Sequence, residues 1–566
     1  MCLCVIHTPS VPKVQHLMGA LQSSHAQLPL PPPPPPTLLL TNYPVEFTVE
    51  RAILLLLLLH QLSALLALFR RVGFLGVYKY VIGHLLAITS AAVPGVASLV
   101  ASEEKKALAD LEKNLLGDGD PTAVTALPEH SIKAEELEKR TGEAMRADAA
   151  RATQKRWGGI YHNSGGTLAT LQGHIWSQYV DTNALYPGVF PSLRKYEAEV
   201  IAMTLSIVHG HEAGACGLLA SGGTESVLLA ALAYRETGRA RGITEPQIIC
   251  AISAHPAITK ACHYFGIELI KVPLEPSSMS LRAATVRPYL SSQTVAIYAS
   301  APSFAHGVID AIEELGALAL EARVGLHVDN CLGGFLLSFM AREGILAKPF
   351  DFAVPGVSSM SIDVHKYGCA PKGVSVVAFR TAELRRATYV PSTDGCEGLY
   401  VTPTLQGSRS GAIMATAWAT MLHVGGAGYA AKAREISACH EKIKAFVRAT
   451  PPLRLCADSD ACTVPVCSDT LNVYALATLL EQKGWSVFTG QKPATVTFPL
   501  GEQTPALVDE LLRDLGESVG WLLVHPDFKP KGNAAVYGMA SVAPDAVLDS
   551  ILRGYVDLTL KVKPLN

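Results

Sequence analysis

The chain has 566 residues, 49% of them hydrophobic, which is enough for a large domain with smaller satellites. A formal net charge of −2 leaves no basic footprint for nucleic acid. Twelve cysteines are scattered without the paired Cys/His spacing of a metal site, so free thiols in a reducing compartment are expected.

Residues 1–50 read as a disordered tail. The run Pro31 to Pro36 favours polyproline II and cannot join a core. Ala52 to Phe69 is an 18-residue apolar stretch interrupted only by His60, Gln61 and Ser63. It is long enough to span a bilayer and starts too far in for a signal peptide. A buried helix of a soluble domain is the competing reading. Arg70, Arg71 and Lys79 follow it, which favours a transmembrane helix over residues 51–71 with a cytosolic catalytic part. A second apolar stretch, Val81 to Val100, is interrupted by Pro94 and Gly95 and reads as a helix lying on the bilayer rather than a second span. Ser102 to Lys155 alternates charge in a helical period, with Glu135, Glu136, Glu138, Lys139 and Arg140. Runs of this kind are solvated helix faces. Residues 72–182 are thus expected to form an interfacial and helical arm.

From Asn183 onward short apolar strands and helices alternate. Gln247 to Ser253, Glu268 to Val272, Thr294 to Ser300, Leu326 to Asp329 and Val374 to Phe379 have strand character. Ala257 to Phe265 and Ala311 to Arg323 have helical character. The alternation predicts an α/β domain with a mostly parallel sheet, whose ligands gather at the strand ends. A helix from Gly411 to Leu422 precedes a second αβ pattern with short strands at Ser486 to Phe488 and Ala494 to Phe498. A boundary near Gly425 divides a large domain, 183–425, from a smaller C-terminal domain, 426–566.

Three elements in this order carry chemistry. Ser221-Gly222-Gly223-Thr224-Glu225-Ser226 opens the helical stretch Val227 to Arg235. Glycines allow close backbone approach there, and a helix N-terminus offers N–H groups to a phosphate. Asp329 ends a buried strand and precedes a glycine-rich loop, a place for a carboxylate that pairs with a protonated pyridine nitrogen. Lys366 lies 37 residues further on, in Asp363-Val364-His365-Lys366-Tyr367-Gly368, after the β-rich run Ser358 to Asp363. A lysine so placed can form a Schiff base, and burial moves its amine toward the neutral form this needs. Singly these are a helix cap, a capping aspartate and a surface lysine. Together they point to pyridoxal phosphate.

The same residues resemble a known family. Ser221 to Ser226, His327-Val328-Asp329, Leu332-Gly333-Gly334-Phe335-Leu336 and His365-Lys366-Tyr367-Gly368 are similar to sphingosine-1-phosphate lyases, within the fold-type I, group II decarboxylase-like superfamily. Asn183 to Glu199, Ala305 to Asp310, Ala370 to Gly373, Gly407 to Arg409 and Tyr537 to Ala540 extend the likeness. The resemblance implies the fold-type I architecture, with an N-terminal membrane anchor. It implies a cofactor site of Lys366, Asp329, His255 stacked on the ring, and Gly223, Thr224 and His365 at the cofactor phosphate. Gly407 and Ser408 would reach that phosphate from a partner subunit, hence a homodimer. Lys372 and Tyr186 would hold the substrate phosphate, and Tyr161 would transfer a proton or bind phosphate. No metal is implied. The family's usual His is replaced by Tyr186, its Trp-x-Gly-Gly run by Gly395-Cys396-Glu397-Gly398, its Pro by Ser410 and its Thr by Val364.

The function so implied is retro-aldol cleavage of a phosphorylated sphingoid base to a long-chain aldehyde and phosphoethanolamine, in sphingolipid catabolism. The implied setting is the endoplasmic reticulum membrane, single-pass, with the catalytic part cytosolic. An amino-acid decarboxylase on the same scaffold and a non-catalytic membrane paralogue are the alternatives. The first lacks an evident cation for a carboxylate. The second rests only on Tyr186 and the altered 395–398 loop.

Overall fold

The structure, a computed structural model, describes residues 94–153, 161, 166–396, 398–531 and 545–564. The Pro-rich tail, the apolar stretch Ala52 to Phe69 and residues 81–93 lie outside these. Among the described residues no helix is long and apolar enough to cross a membrane. The charged arm forms two helices, Pro94–Leu116 and Ala134–Thr153.

Seven strands form the larger sheet: β1 Cys216–Ala220, β2 Gln247–Ala251, β3 Glu268–Val272, β4 Thr294–Ser300, β5 Gly325–Asp329, β6 Ser359–Asp363 and β7 Ser375–Phe379, in the order β1-β7-β6-β5-β4-β2-β3. Pairing is parallel from β3 through β6. β7 is antiparallel to both of its neighbours. The reason is the length of the link. Only residues 364–374 join β6 to β7, too few for a parallel crossover, so the chain turns back and displays Lys366 in the turn.

β4, β6 and β7 are buried along their whole length. Strands covered on both faces read as near-continuous apolar runs, which is why most were visible in the sequence. One face holds Ile249, Ile297, Leu326, Val328, Met360 and Ile362. The other holds Ile248, Tyr298, Val377 and Phe379 against the helix Gly223–Ala240.

A smaller antiparallel sheet follows, of β8 Leu453–Leu455, β9 Thr463–Ser468, β10 Phe488–Gln491 and β11 Ala494–Pro499, ordered β10-β11-β9-β8. β10 begins where the expected strand Ser486 to Phe488 ends. The helix expected to stop at Leu422 runs from Gly411 to Arg448, broken at Gly425 by a backbone at φ 61° and ψ 171°. Beyond the break Tyr429, Ala433, Ile436, His440, Ile443 and Val447 keep the spacing of a buried helical stripe.

The loop after β4 is clamped to the second sheet through Gly307. Its carbonyl accepts from the Asp460 N–H at 2.8 Å, and Asp460 Oδ2 accepts from the Ile309 N–H at 2.8 Å. Gly307 has φ +65°, and a Cβ there would lie 2.5 Å from the Thr463 carbonyl oxygen. Gly307→Ala is therefore expected to lower stability by at least about 1–3 kcal/mol, the cost of a strained non-glycine backbone, before the clash is added. Gly520 lies in the helix Thr504–Val524 with open space at its Cβ position, so Gly520→Ala should instead gain about 0.5–1 kcal/mol. Urea midpoints of the two variants, moving in opposite directions, check both.

Candidate active site

The carboxyl ends of β4, β5 and β6 stop at Ser300, Asp329 and Asp363, and all three line one cavity of about 510 Å³. Ligands gather at this edge of a parallel sheet because the strand ends and the loops beyond them leave a crevice there. The cavity is completed by Gly223, Thr224, His255, His365, Lys366 and Tyr161. Seven of the residues expected from sequence thus meet at one place. Four do not line this cavity. Lys372 lies just behind it, its ammonium 5.4 Å from the Tyr161 ring centre and donating to the His365 carbonyl at 3.1 Å. Tyr186 is 54% exposed in the turn after Asn183. Ser408 accepts from Asn183 Nδ2 at 2.9 Å, so the Gly407-Ser408 turn belongs to that outer surface.

The helix Gly223–Ala240 begins directly at the cavity, and helix geometry leaves its first N–H groups without intrahelical acceptors. Gly222 reaches the start with φ 151°, a conformation that favours glycine. At Gly223 a Cβ would come within 2.7 Å of Cys331 Sγ and 2.8 Å of Asp363 Oδ1. Any larger residue would fill the cradle. Glu225 Oε2 accepts from the Ser221 N–H at 2.6 Å and Oε1 from the Leu405 N–H at 3.0 Å, which ties the helix start to the 399–409 loop.

Asp329 is 8% exposed. Its Oδ2 accepts from the Tyr298 hydroxyl at 2.5 Å, and its Oδ1 accepts from the Ser361 hydroxyl and the Cys331 N–H, each at 3.1 Å. Burial alone would push the carboxyl up. The pull of His255, the Tyr298 hydrogen bond and the charge of Lys366 outweigh it, so Asp329 stays below the usual carboxylate range. His255 Nδ1 accepts from the Ala257 N–H at 3.2 Å.

Lys366 corrects one expectation. Burial does pull its amine down, but Asp363 Oδ2 stands 2.9 Å away and its charge wins, so the amine is held above the ordinary lysine range. The neutral form cannot come from burial alone while Asp363 is ionised. His365 accepts from the Val374 N–H at Nδ1 (3.2 Å), and burial lowers its pKa, so it is neutral with its proton at Nε2. Tyr161 lies between two cations, 6.0 Å from Lys366 Nζ to its ring centre and 5.4 Å from Lys372 Nζ. Burial raises its phenol, which therefore donates rather than acts as a base.

The donor set fits pyridoxal phosphate. A glycine cradle at a helix N-terminus suits the phosphate, a buried ionised carboxylate suits the ring nitrogen, and a lysine amine stands between them. Ser303 Oγ, buried in the cavity wall, and Asp363 Oδ1 have no hydrogen-bond partner among the described residues. Buried polar atoms of this kind call for a ligand. Sequence reasoning missed Asp363, Tyr298, Ser361, Phe304 and Phe488. Asp363 carried the same signal as Asp329, a carboxylate at the last position of a strand. The others gave none, since their roles depend on strand pairing and on the second sheet.

Residues 159–468 match the family model described as the pyridoxal-dependent decarboxylase conserved domain. The chain is 39% identical over 413 residues to the sphingosine-1-phosphate lyase of Saccharomyces cerevisiae, covering 72% of this chain and 70% of that one. It is 36% identical over 477 residues to the sphingosine-1-phosphate lyase of Arabidopsis thaliana, covering 82% and 86%. Among solved structures, the sphingosine-1-phosphate lyase of Burkholderia pseudomallei superposes with a TM-score of 0.71 at 33% identity, over 78% of this chain and 98% of that one. The chain belongs to the pyridoxal-dependent decarboxylase family and, within it, to the sphingosine-1-phosphate lyases.

Proposed function

We propose that this protein is a pyridoxal phosphate-dependent carbon–carbon lyase that cleaves phosphorylated sphingoid bases to a long-chain aldehyde and phosphoethanolamine. The observation that carries this is the meeting of Lys366, Asp329 and the Gly223 helix start at one cavity, in a chain of this family. When bound, pyridoxal phosphate supplies an aldehyde carbon for amines and a ring that takes up the electron pair of a breaking bond. The chain's own residues do the rest. Asp329 keeps a proton on the ring nitrogen. The first-turn N–H groups at Gly223 and Thr224, with His365 Nε2–H, bind the cofactor phosphate. His255, which lines the cavity, would lie against the ring. Asp363 holds the Lys366 ammonium and takes up the proton that the amine must lose.

At the substrate end Lys372 supplies positive charge to the phosphate and Tyr161 a phenolic donor. Phe304 and Phe488, edge to face at 5.1 Å, give the cavity an apolar side suited to hydrocarbon. Tyr186, Gly407 and Ser408 are assigned to the site of a second copy, in a homodimer. The surface they share, outside their own cavity, supports this. Tyr186 offers only a neutral hydrogen bond, so Lys372 carries most of the phosphate binding. The stretch Ala52 to Phe69 is assigned as a single anchor in the endoplasmic reticulum membrane, with the catalytic part cytosolic. Arg70 and Arg71 on its C-terminal flank support that orientation.

Purified protein incubated with a long-chain base phosphate should release aldehyde and phosphoethanolamine in equal amounts. Lys366→Ala should abolish both products and the visible absorbance of covalently held cofactor. Pyridoxyl found on another lysine after borohydride reduction and digestion would overturn the assignment. Asp363→Asn removes the charge that raises the Lys366 amine. The amine pKa then falls, and the acid-side limit of cofactor capture should move to lower pH, read by stopped-flow absorbance across pH 5–9. An unmoved limit would clear Asp363 of this role. In sealed microsomes, added protease should digest the catalytic part, and its protection would sink the proposed topology.

A further inference from the structure

Behind Asp329 lies a row of buried polar groups that cofactor binding does not itself require. It follows from strand pairing. Tyr298 of β4 is opposite His327 of β5, and His327 and Asp329 are opposite Ser359 and Ser361 of β6. Alternate residues of a strand share a face, so all of them face the same side of the sheet. The helix Gly223–Ala240, whose first turn lines the cavity, covers this side and adds Tyr234. His327, Ser359, Ser361, Tyr298 and Tyr234 are all buried.

The hydrogen bonds connect into one line. The Tyr234 hydroxyl is 2.5 Å from Ser359 Oγ, which is 2.8 Å from His327 Nδ1. His327 Nε2 is 3.3 Å from Ser361 Oγ, which is 3.1 Å from Asp329 Oδ1. An ionised carboxylate only accepts, and this fixes the protons from Asp329 back to Ser359; the Tyr234 hydroxyl beyond it also lies 2.8 Å from Ser358 Oγ. Ser361 donates to Asp329 and so accepts from His327 Nε2–H. The Nδ1 of neutral His327 then accepts from Ser359, and Ser359 accepts from Tyr234. Burial holds His327 neutral, with a pKa lowered to about 4, which is what this order needs. Tyr298 reaches the other carboxylate oxygen, and its ring lies 5.3 Å from that of His327 at 29°.

We propose that Tyr234, Ser359, His327 and Ser361 form a one-way hydrogen-bond relay that, with Tyr298, locks Asp329 as a carboxylate and so sets how tightly the cofactor ring is held. None of them lines the cavity, so they are positioning residues. The inference rests on the cofactor reading above. The charged and titratable groups around Asp329 are His255 from beyond β2, Tyr298 on β4, His327 on β5, Cys331 in its own loop, and Asp363 and Lys366 at the end of β6. Only donors to the carboxylate, directly or through the relay, are removed by the variants below.

Full-length holoenzyme is titrated from neutral to acid pH while bound cofactor is followed by its visible absorbance. Release into cofactor-free buffer is timed at neutral pH. Asp329 has a depressed pKa, so its charge is lost only as pH falls well below the usual range. Removing a donor lets that pKa rise, and cofactor loss should then begin at higher pH. Ser361→Ala and Tyr298→Phe should each show this shift, with release faster by roughly tenfold or more. His327→Phe leaves Ser361 in place and should shift less in the same direction. The double variant Ser361→Ala/His327→Phe should be no worse than Ser361→Ala, because the relay ends at Ser361. Melting of the cofactor-free proteins checks folding, and Tyr298→Phe, which keeps ring packing, carries the test if Ser361→Ala does not fold. Acid limits and release rates equal to wild type in folded variants would overturn the relay, as would additive effects in the double variant. Wild type that captures no cofactor would instead defeat the earlier reading.

Discussion

A charge buried at the end of a strand has to be answered by donors or by an opposite charge, and two such carboxylates organise this molecule. Asp329 and Asp363 end neighbouring strands of the same sheet. Left alone, each would take up a proton or unfold its surroundings, since burying an unpaired charge is costly. Their answers differ. Asp329 is met by hydroxyl and N–H donors and by the field of His255 and Lys366. Asp363 is met by the ammonium of Lys366, three residues along the turn. One carboxylate is arranged to stay charged, and the other holds a partner that must change charge. Both end on the same cavity, so the sheet places side by side a carboxylate met by donors and a carboxylate met by an ammonium.

Lys366 shows how two effects on one amine are decided by magnitude. Desolvation favours the neutral form, and a carboxylate 2.9 Å away in a low-dielectric setting favours the charged one. The nearer charge wins here. The reactive amine is therefore not supplied by the hydrophobicity of the site but by whatever relieves or accepts the pairing with Asp363. Tyr161 and Lys372 add to this balance, Lys372 against the ammonium and the aromatic ring for it.

Much of the candidate site was legible in the sequence because each part sits at a junction with a local signature. Asp329 ends one short strand and Lys366 follows another, each closed by a carboxylate and a loop containing glycine, and the Gly222-Gly223-Thr224 start opens a helix of regular period. Strands β2 to β6 were readable for the same reason. β1 and β9 were not, because Cys216–Ala220 contains Gly217 and Thr463–Ser468 contains Pro465, residues that weaken a strand signal. The antiparallel run of β7 follows from the 364–374 link and was within reach of a count. Tyr298, His327, Ser359 and Ser361 were beyond reach. Inside a strand a lone polar residue says nothing until register brings it opposite another, and these four become one network only through the pairing of β4, β5 and β6.

The departures from the family pattern fall, with one exception, on the outer surface and not on the cavity wall. Tyr186 stands in the turn from Asn183, Asn183 bridges to Ser410 and binds Ser408, and Gly395, Cys396 and Gly398 lie between Ser392 and Tyr400, which pair with each other. The Gly407 position abuts the Tyr400 hydroxyl, so these segments form one continuous region. The exception is Val364, fully buried beside the turn that bears Lys366, where an apolar side chain leaves no hydroxyl to satisfy. Changes that gather in one exposed region while every charged group in the cavity keeps its partner describe a molecule free to vary in what approaches the site. It is not free to vary in how the site holds its charges, because there each group's ionisation depends on its neighbours.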